Sequence, residues 1–342
     1  MHTTVRPYLI NALLLIVAFV LSVAIGAVFI PPATVVRILV AQVPGFRVAA
    51  TWPETFSTIL FSIRLPHAVL IMLTGAALAS SGATYQGLFR NPLADPYLIG
   101  VASGAGLGAV LAMSIHWPMT MLGLYLVPFS AFLGASLTVA LVYFLARSGR
   151  TVPITMLILA GVAISSFATS LTSFLMLQSN EELRRALSWL LGGSLVSGWD
   201  PIIAVFPYIL VGMLVLSISG HTLNVMQFGD EQAQQLGIPV ERRKLILIIA
   251  ASLTTAAAVA FSGVIGFIGL IVPHLMRMVW GPDYRRLVSL SILGGGTALL
   301  VADLLARTLI APQVLPVGIV TALAGAPFFL WVLRRTKNQG NW

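Results

Sequence analysis

Residues 75–108 read GAALASSGATYQGLFRNPLADPYLIGVASGAGLG. Two runs of Gly, Ala, Ser and aliphatic residues flank a polar elbow at Arg90-Asn91-Pro92. The proline disfavours helical backbone at the residue before it, so a helix is expected to break at the elbow. Small residues at this density let helix backbones approach closely, which is how helices associate in a solvent as apolar as their own side chains. The stretch reads as two tightly packed membrane helices joined by a polar turn.

The flanking sequence agrees. Of 342 residues, 58% are hydrophobic and only 8% charged, against about 25% charged in soluble domains. Uncharged runs recur at 8–30, 66–89, 151–180, 201–220, 245–276 and 308–333, and roughly 20 helical residues cross a bilayer core. Cutting these runs at charged, Pro or Gly breaks gives an all-α polytopic membrane protein, a single transmembrane domain over 1–342 with about ten spans. They lie near 8–30, 66–88, 96–114, 120–146, 152–178, 201–220, 244–262, 265–280, 285–304 and 314–333. The first run outlasts the apolar core of a secretory signal and is read as a retained span. There is no cysteine, hence no disulfide or thiolate chemistry.

With the N-terminus in the cytosol, thirteen of the 19 Lys and Arg residues fall on the inner side, as the positive-inside rule requires. Arg47, Glu181 and Glu182 are among the charges placed outside. Both termini are expected in the cytosol. The net charge of +9 expresses orientation and not nucleic-acid binding.

Residues 75–82, GAALASSG, are echoed at 256–263 by AAAVAFSG. The second and seventh spans run in opposite expected directions, which fits an inverted repeat of spans 2 to 5 and 7 to 10. Residues 34–43 suit a short interfacial helix. The segment 229–244, GDEQAQQLGIPVERRK, is too polar and short to span. Asp230 and Glu231 suit a helix N-terminus, and Gly237 with Pro239 its end. An ordinary connecting loop is the alternative.

Catalytic patterns are missing. The two lysines, Lys244 and Lys337, do not follow Gly, so there is no P-loop. The five histidines are scattered along the chain without the zinc-protease spacing, arguing against a catalytic metal. Asp95 and Asp303 sit near span ends, leaving the bilayer centre almost uncharged, which counts against an ion-coupled secondary transporter acting alone. That carrier remains the alternative to a membrane body driven by a partner.

Four blocks resemble the membrane permease subunits of ABC importers for iron-siderophore, haem and cobalamin. They are SIRLPH at 62–67 with SG-x3-Q at 81–86, RNPLADPYLIGVASGAG at 90–106, SGVIGFIGLIVPHLMR at 262–277 and LPVGIVTALAGAPFFLWVL at 315–333. LSWLLGGSL at 187–195 and QLGIPVERRK at 235–244 fit more weakly. The resemblance implies a ten-helix subunit of the cell's inner (cytoplasmic) membrane, paired with a second copy around a pathway at the dimer interface. It implies two cytosolic ABC ATPase subunits that use the ATP, a soluble periplasmic or extracytoplasmic substrate-binding protein, membrane lipid around the subunit, and no covalent cofactor or bond chemistry in the subunit itself. Asp230, Glu231, Gln232, Gln235, Leu236 and Gly237 would dock into the ATPase. Arg64 and Arg307 would pair with glutamates of the binding protein, a role suited to bidentate guanidinium; capping a helix or anchoring at headgroups is the alternative. His67 stands where the family often has a second Arg, a departure that shifts docking toward Arg184 or Arg185. The inner gate maps to Asn91 and to the loop 147–155, here offering Pro153, Ile154 and Thr155. Gln86 is a pathway candidate with interhelical packing as its equal rival, and His274 reads as a structural hydrogen bond. Which chelate is carried stays open.

Overall fold

In lipid the backbone of an apolar stretch has no partner but itself, so such stretches become helices. A computed structural model describes residues 2–45, 49, 51–115, 121–178, 183–194 and 198–338. Arg47, Glu181 and Glu182 lie outside the described residues. The chain runs through α1 (His2–Ala24), α2 (Pro32–Ala41), α3 (Glu54–Ile59), α4 (Leu65–Leu88), α5 (Val101–Ser114), α6 (Met121–Ala146), α7 (Ile154–Gln178) and α8 (Leu183–Leu190). It continues through α9 (Asp200–Ile218), α10 (Gly220–Met226), α11 (Asp230–Gln235), α12 (Val240–Ser262), α13 (Ile268–Trp280), α14 (Tyr284–Thr308) and α15 (Val317–Asn338). Among the described residues no strand forms beyond a single bridge between Ser148 and Thr151.

Seven of the ten expected spans are met by helices long and apolar enough to cross a bilayer, whereas α5, α13 and the apolar part of α15, Val317–Val332, are shorter. The shortening of α5 and α13 has a local cause. Helix α5 is entered through a 3-10 turn over Pro96–Ile99 and α13 through a non-helical segment, each ending in a left-handed residue, Gly100 with φ 88° and Phe267 with φ 69°. The second span also differs at its start. Helix continues from Glu54 to Leu88, passing Pro66 by a π-helical turn over Leu60–Arg64. In that turn the Leu65 N–H bonds to the Leu60 carbonyl. The next carbonyl, Phe61, would need a proton that Pro66 lacks. The Trp199 indole N–H supplies it, at 2.9 Å.

The two proposed halves have similar helix lengths in sequence, each with one short second helix. Helices α4, α5, α6 and α7 have 24, 14, 26 and 25 residues; α12, α13, α14 and α15 have 23, 13, 25 and 22. Their contacts cross over: α4 packs on α13 and α14, α12 packs on α5 and α6, and α4 and α12 pack on each other. The echo between residues 75–82 and 256–263 therefore falls on helices with matching places in the bundle.

Helix α4 is the centre of this packing, and most of its side chains are buried. A Cβ added to Gly82 would run into the carbonyl of Gly269. That carbonyl is the one Pro273 leaves without its helical donor, four residues on. Gly75 and Gly295 face each other backbone to backbone in the same way at the α4–α14 crossing. Backbone cannot yield as a side-chain tip can. Gly82→Ala is thus expected to cost about 1–3 kcal/mol or more by overpacking, read as a lower melting temperature in detergent; an unchanged melt would contradict the close crossing.

Candidate functional site

Polar side chains gather at the two ends of α4. At its beginning, Arg64 is only 8% exposed. Its guanidinium donates to the carbonyls of Val23 at 2.8 Å, Ala24 at 2.9 Å and also Val28. From α14, Arg307 donates to the carbonyls of Ile25 at 3.2 Å and Ser22 at 3.1 Å, and to the Ser22 hydroxyl at 2.9 Å. Helix α1 has no basic residue in its own last turn. Two arginines from elsewhere therefore satisfy its orphan C-terminal carbonyls and the negative end of its dipole. Asp303 holds the second arginine, accepting from Arg307 at 2.9 Å through one oxygen and from His67 at 2.9 Å through the other. The cluster binds α1, α4 and α14 together. Arg64 and Arg307 thereby take up the capping role, while the His67 side chain is 37% exposed and Arg184 is exposed on α8.

Beside His67 opens a cavity of about 450 Å³, lined also by Ser188, Gly192, Ser262, Asp303 and Val317. Three sequence blocks meet on its wall. The Val264 N–H donates to the Trp189 carbonyl at 3.3 Å and the Gly318 N–H to the Leu191 carbonyl at 3.0 Å. LSWLLGGSL thus serves as the seam joining the starts of the α13 and α15 regions.

At the other end of α4 the helix closes with Arg90 left-handed, φ 50°. The Asn91 N–H reaches back to the Gln86 carbonyl at 3.1 Å and the Arg90 N–H to Gly87 at 3.3 Å, the paired bonds of a Schellman end. Asn91 is exposed and its side-chain oxygen accepts from the Leu93 N–H at 2.9 Å. Gln86 is buried, donating to the Leu270 carbonyl at 3.2 Å and accepting from Arg277 at 2.9 Å. It pins α4 to α13. Pro153 accepts the first bond of α7, from Leu157 at 3.0 Å, and Ile154 and Thr155 form the first turn.

Helix α11 forms where the polar segment was expected to be helical, and it ends at Gly237, whose φ of 81° suits glycine. Glu231, Gln232, Gln235, Leu236 and Gly237 are exposed, and Ala233 is buried. Asp230 turns inward. Its carboxylate accepts from Lys244 at 2.5 Å and lies 3.8 Å from Arg90. Lys244, 4% exposed, also donates to Glu241 at 3.1 Å. The other Glu241 oxygen accepts from the Val152 N–H at 2.9 Å. Gln227 of the α10–α11 link donates to Gly87 at 2.8 Å, and Asn224 on α10 to Asp283 at 2.6 Å. The elbow, α11, the start of α12 and the loop before α7 are one hydrogen-bonded assembly. The sequence alone gives Asp230 a role here and none to Lys244, Glu241 or Gln227; the spacing of Glu241 and Lys244 by three on one helix is the available signal.

Residues 14–335 match the FecCD transport family. The chain belongs to that family. It is 46% identical over 282 residues to the cobalamin import system permease BtuC of Halobacterium salinarum, covering 82% of this chain and 75% of the relative. It is 41% identical over 284 residues to the haemin transport permease HmuU of Yersinia pestis, covering 82% and 84%. A solved inward-facing structure described as a metal-chelate type ABC transporter superposes with a TM-score of 0.80 at 31% identity, over 96% of this chain and 98% of the other. FecCD members are transport permeases and not enzymes, in keeping with the missing catalytic patterns.

Two outcomes follow from the geometry. Arg64→Ala would leave α1 carbonyls unpaired, at about 1–3 kcal/mol for each buried acceptor, so the variant is expected to melt earlier than His67→Ala; the reverse order would refute the capping role. Asp95, which caps the turn at Pro96 by accepting from Tyr97 at 2.8 Å, is raised by burial to about 6, opposed by that same backbone bond. An acid raised above its unfolded value of about 3.9 holds its proton more tightly when folded, so stability falls as pH rises from about 4 to about 6. Asp95→Asn keeps the cap and should flatten that slope in melting curves across the window.

Proposed function

We propose that the chain is the permease of an importer for a metal chelate of the iron-siderophore, haem or cobalamin class. It works as a homodimer in the cell's inner membrane with both termini in the cytosol. Two separate ABC ATPases supply the energy, and a soluble extracytoplasmic protein delivers the cargo. The observation that carries this reading is α11: a helix closed at Gly237 with an exposed outer face, Leu236 being 69% exposed, fastened on its inner side through Asp230 to Lys244, and through Glu241 to the loop before α7. A fastened helix passes on a push from a partner, and a free loop would absorb it.

Other features support the partners. Helix α7 buries the smallest share of the seven span-length helices, 17% of its most apolar window, which leaves an apolar face for a second copy and for lipid. With Arg64 and Arg307 spent on α1, docking of the delivery protein falls to His67 at the cavity and to Arg184, exposed on α8, and the two arginines hold the platform. Asn91 and residues 153–155 act as the gate, with Gln86 a hinge pin beside the pathway. An ion-coupled carrier would expose an acid to its path. Asp303 is 4% exposed with both oxygens engaged.

Reconstitution with the partner ATPase and delivery protein should give ATP-dependent uptake of one chelate from a panel of cobalamin, haem and ferric siderophores. Uptake that needs an ion gradient and no ATPase would overturn the reading. Since the chain has no cysteine, orientation is directly testable: Gln232→Cys should react with impermeant maleimide only from the cytosol and Val314→Cys only from outside.

A further inference from the structure

We propose that Lys244 is a positioning residue that transmits movement of α11 to the loop before α7, through Glu241. The inference rests on the reading of α11 as the ATPase contact. The chain of groups is short and continuous. Asp230 in the first turn of α11 holds the ammonium at 2.5 Å, the ammonium holds Glu241 at 3.1 Å, and Glu241 holds the Val152 N–H at 2.9 Å.

Each link is built to carry displacement. Lys244 and Val152 are both 4% exposed while the Asp230 and Glu241 side chains are 33% and 30% exposed, so the ammonium at the centre is shielded from water and salt and its two acids in part. Charge-assisted bonds of this length are the stronger kind. Val152 immediately precedes Pro153, whose carbonyl accepts the first bond of α7, and the loop behind it is stiffened by the paired Ser148 and Thr151 backbones at 2.9 and 3.1 Å. A shift at Val152 therefore moves the start of α7 and does not dissipate in the loop. The parallel link from Asp230 to Arg90 is longer, 3.8 Å, with side chains 33% and 41% exposed, and an exposed pair of that kind contributes little. The arm through Lys244, shorter at 2.5 Å and with its cation 5% exposed, is the one with mechanical weight.

A buried ammonium between two carboxylates gives little net stability over an apolar packing of the same volume. What it does provide is a compact charge with three donors that can hold two acids from different elements at once. Lys244 and Glu241 lie three residues apart on the first turns of α12, so the junction pivots on a helix packed against α4, α5, α6 and α9.

The test uses the assembled dimer with its ATPase in vesicles and Thr155→Cys, a position exposed at the start of α7, as the reporter. Its maleimide modification rate is measured with and without nucleotide trapping by ATP and vanadate. In the reporter background the rate is expected to change by about fivefold or more, the lower end of ordinary coupling. Lys244→Met and Glu241→Ala should bring that ratio close to one, and Lys244→Arg should restore part of it. A variant that only loosened the fold would alter the rate in both states without abolishing their ratio. If Lys244→Met does not assemble, Glu241→Ala carries the test alone, because it cuts the Val152 end and leaves Lys244 with Asp230. A full ratio in an assembled Glu241→Ala complex overturns the relay while the coupling reading stands. No nucleotide effect in the reporter background itself overturns the coupling reading and the relay with it.

Discussion

Wherever a helix of this protein stops or bends, a carbonyl loses its helical donor, and in lipid it cannot turn to water. At several of these breaks the structure brings a donor from another part of the chain. Trp199 takes the Phe61 carbonyl at the π-helical turn. Arg64 and Arg307 take the end of α1, and Gln227 takes Gly87 at the end of α4. The Tyr97 hydroxyl both donates to the Ile265 carbonyl at 2.9 Å and accepts from its N–H at 3.2 Å, closing the non-helical entry to α13. These bonds satisfy the backbone and, because each donor is distant in sequence, they also set which elements lie side by side.

The same economy explains where polar residues sit. Between the two ends of α4 the contacts are those of Gly, Ala and Ser, with backbones close enough that Gly75, Gly82, Gly269 and Gly295 cannot carry a side chain without collision. Apart from the Ser81 and Tyr85 hydroxyls, which bond to Ala251 and Ser252 of α12, specific polar chemistry gathers at the ends of the bundle. One end is a set of caps holding α1 against α4 and α14 next to the cavity. The other is the charged assembly under α11. Tight small-residue packing between them makes a body in which movement at one end is not lost in soft side chains.

Much of this was legible beforehand. Apolar run lengths gave the membrane class, and acids at the start and Gly at the end of residues 230–237 gave α11. The echo of residues 75–82 at 256–263 pointed to two helices that do occupy matching places. Other features were hidden for physical reasons. Pro66 marks a helix start by local rules, yet a π-helical turn and an indole from residue 199 carry the helix through it. Arg64 looks like a surface cation at a span end, and becomes a buried cap because the carbonyls of residues 23, 24 and 28 fold against it. Lys244 looks like one more inner-side charge in a basic run; its partner Asp230 lies on another helix, and its other partner Glu241 holds Val152 from before α7, whole spans away in sequence.

By itself, then, the sequence determined that the chain is a helical membrane protein and where most of its apolar runs and polar turns fall. These are properties of local composition and spacing, since hydrophobic length and capping act within a few turns of helix. Only the tertiary structure decided what each polar side chain does. A donor's role depends on which orphan acceptor it meets, and that is settled by packing between residues as far apart as Arg307 and Ser22. Arg64 and Arg307 became caps and Gln86 a pin between helices. Lys244 became the junction between α11 and the loop before α7.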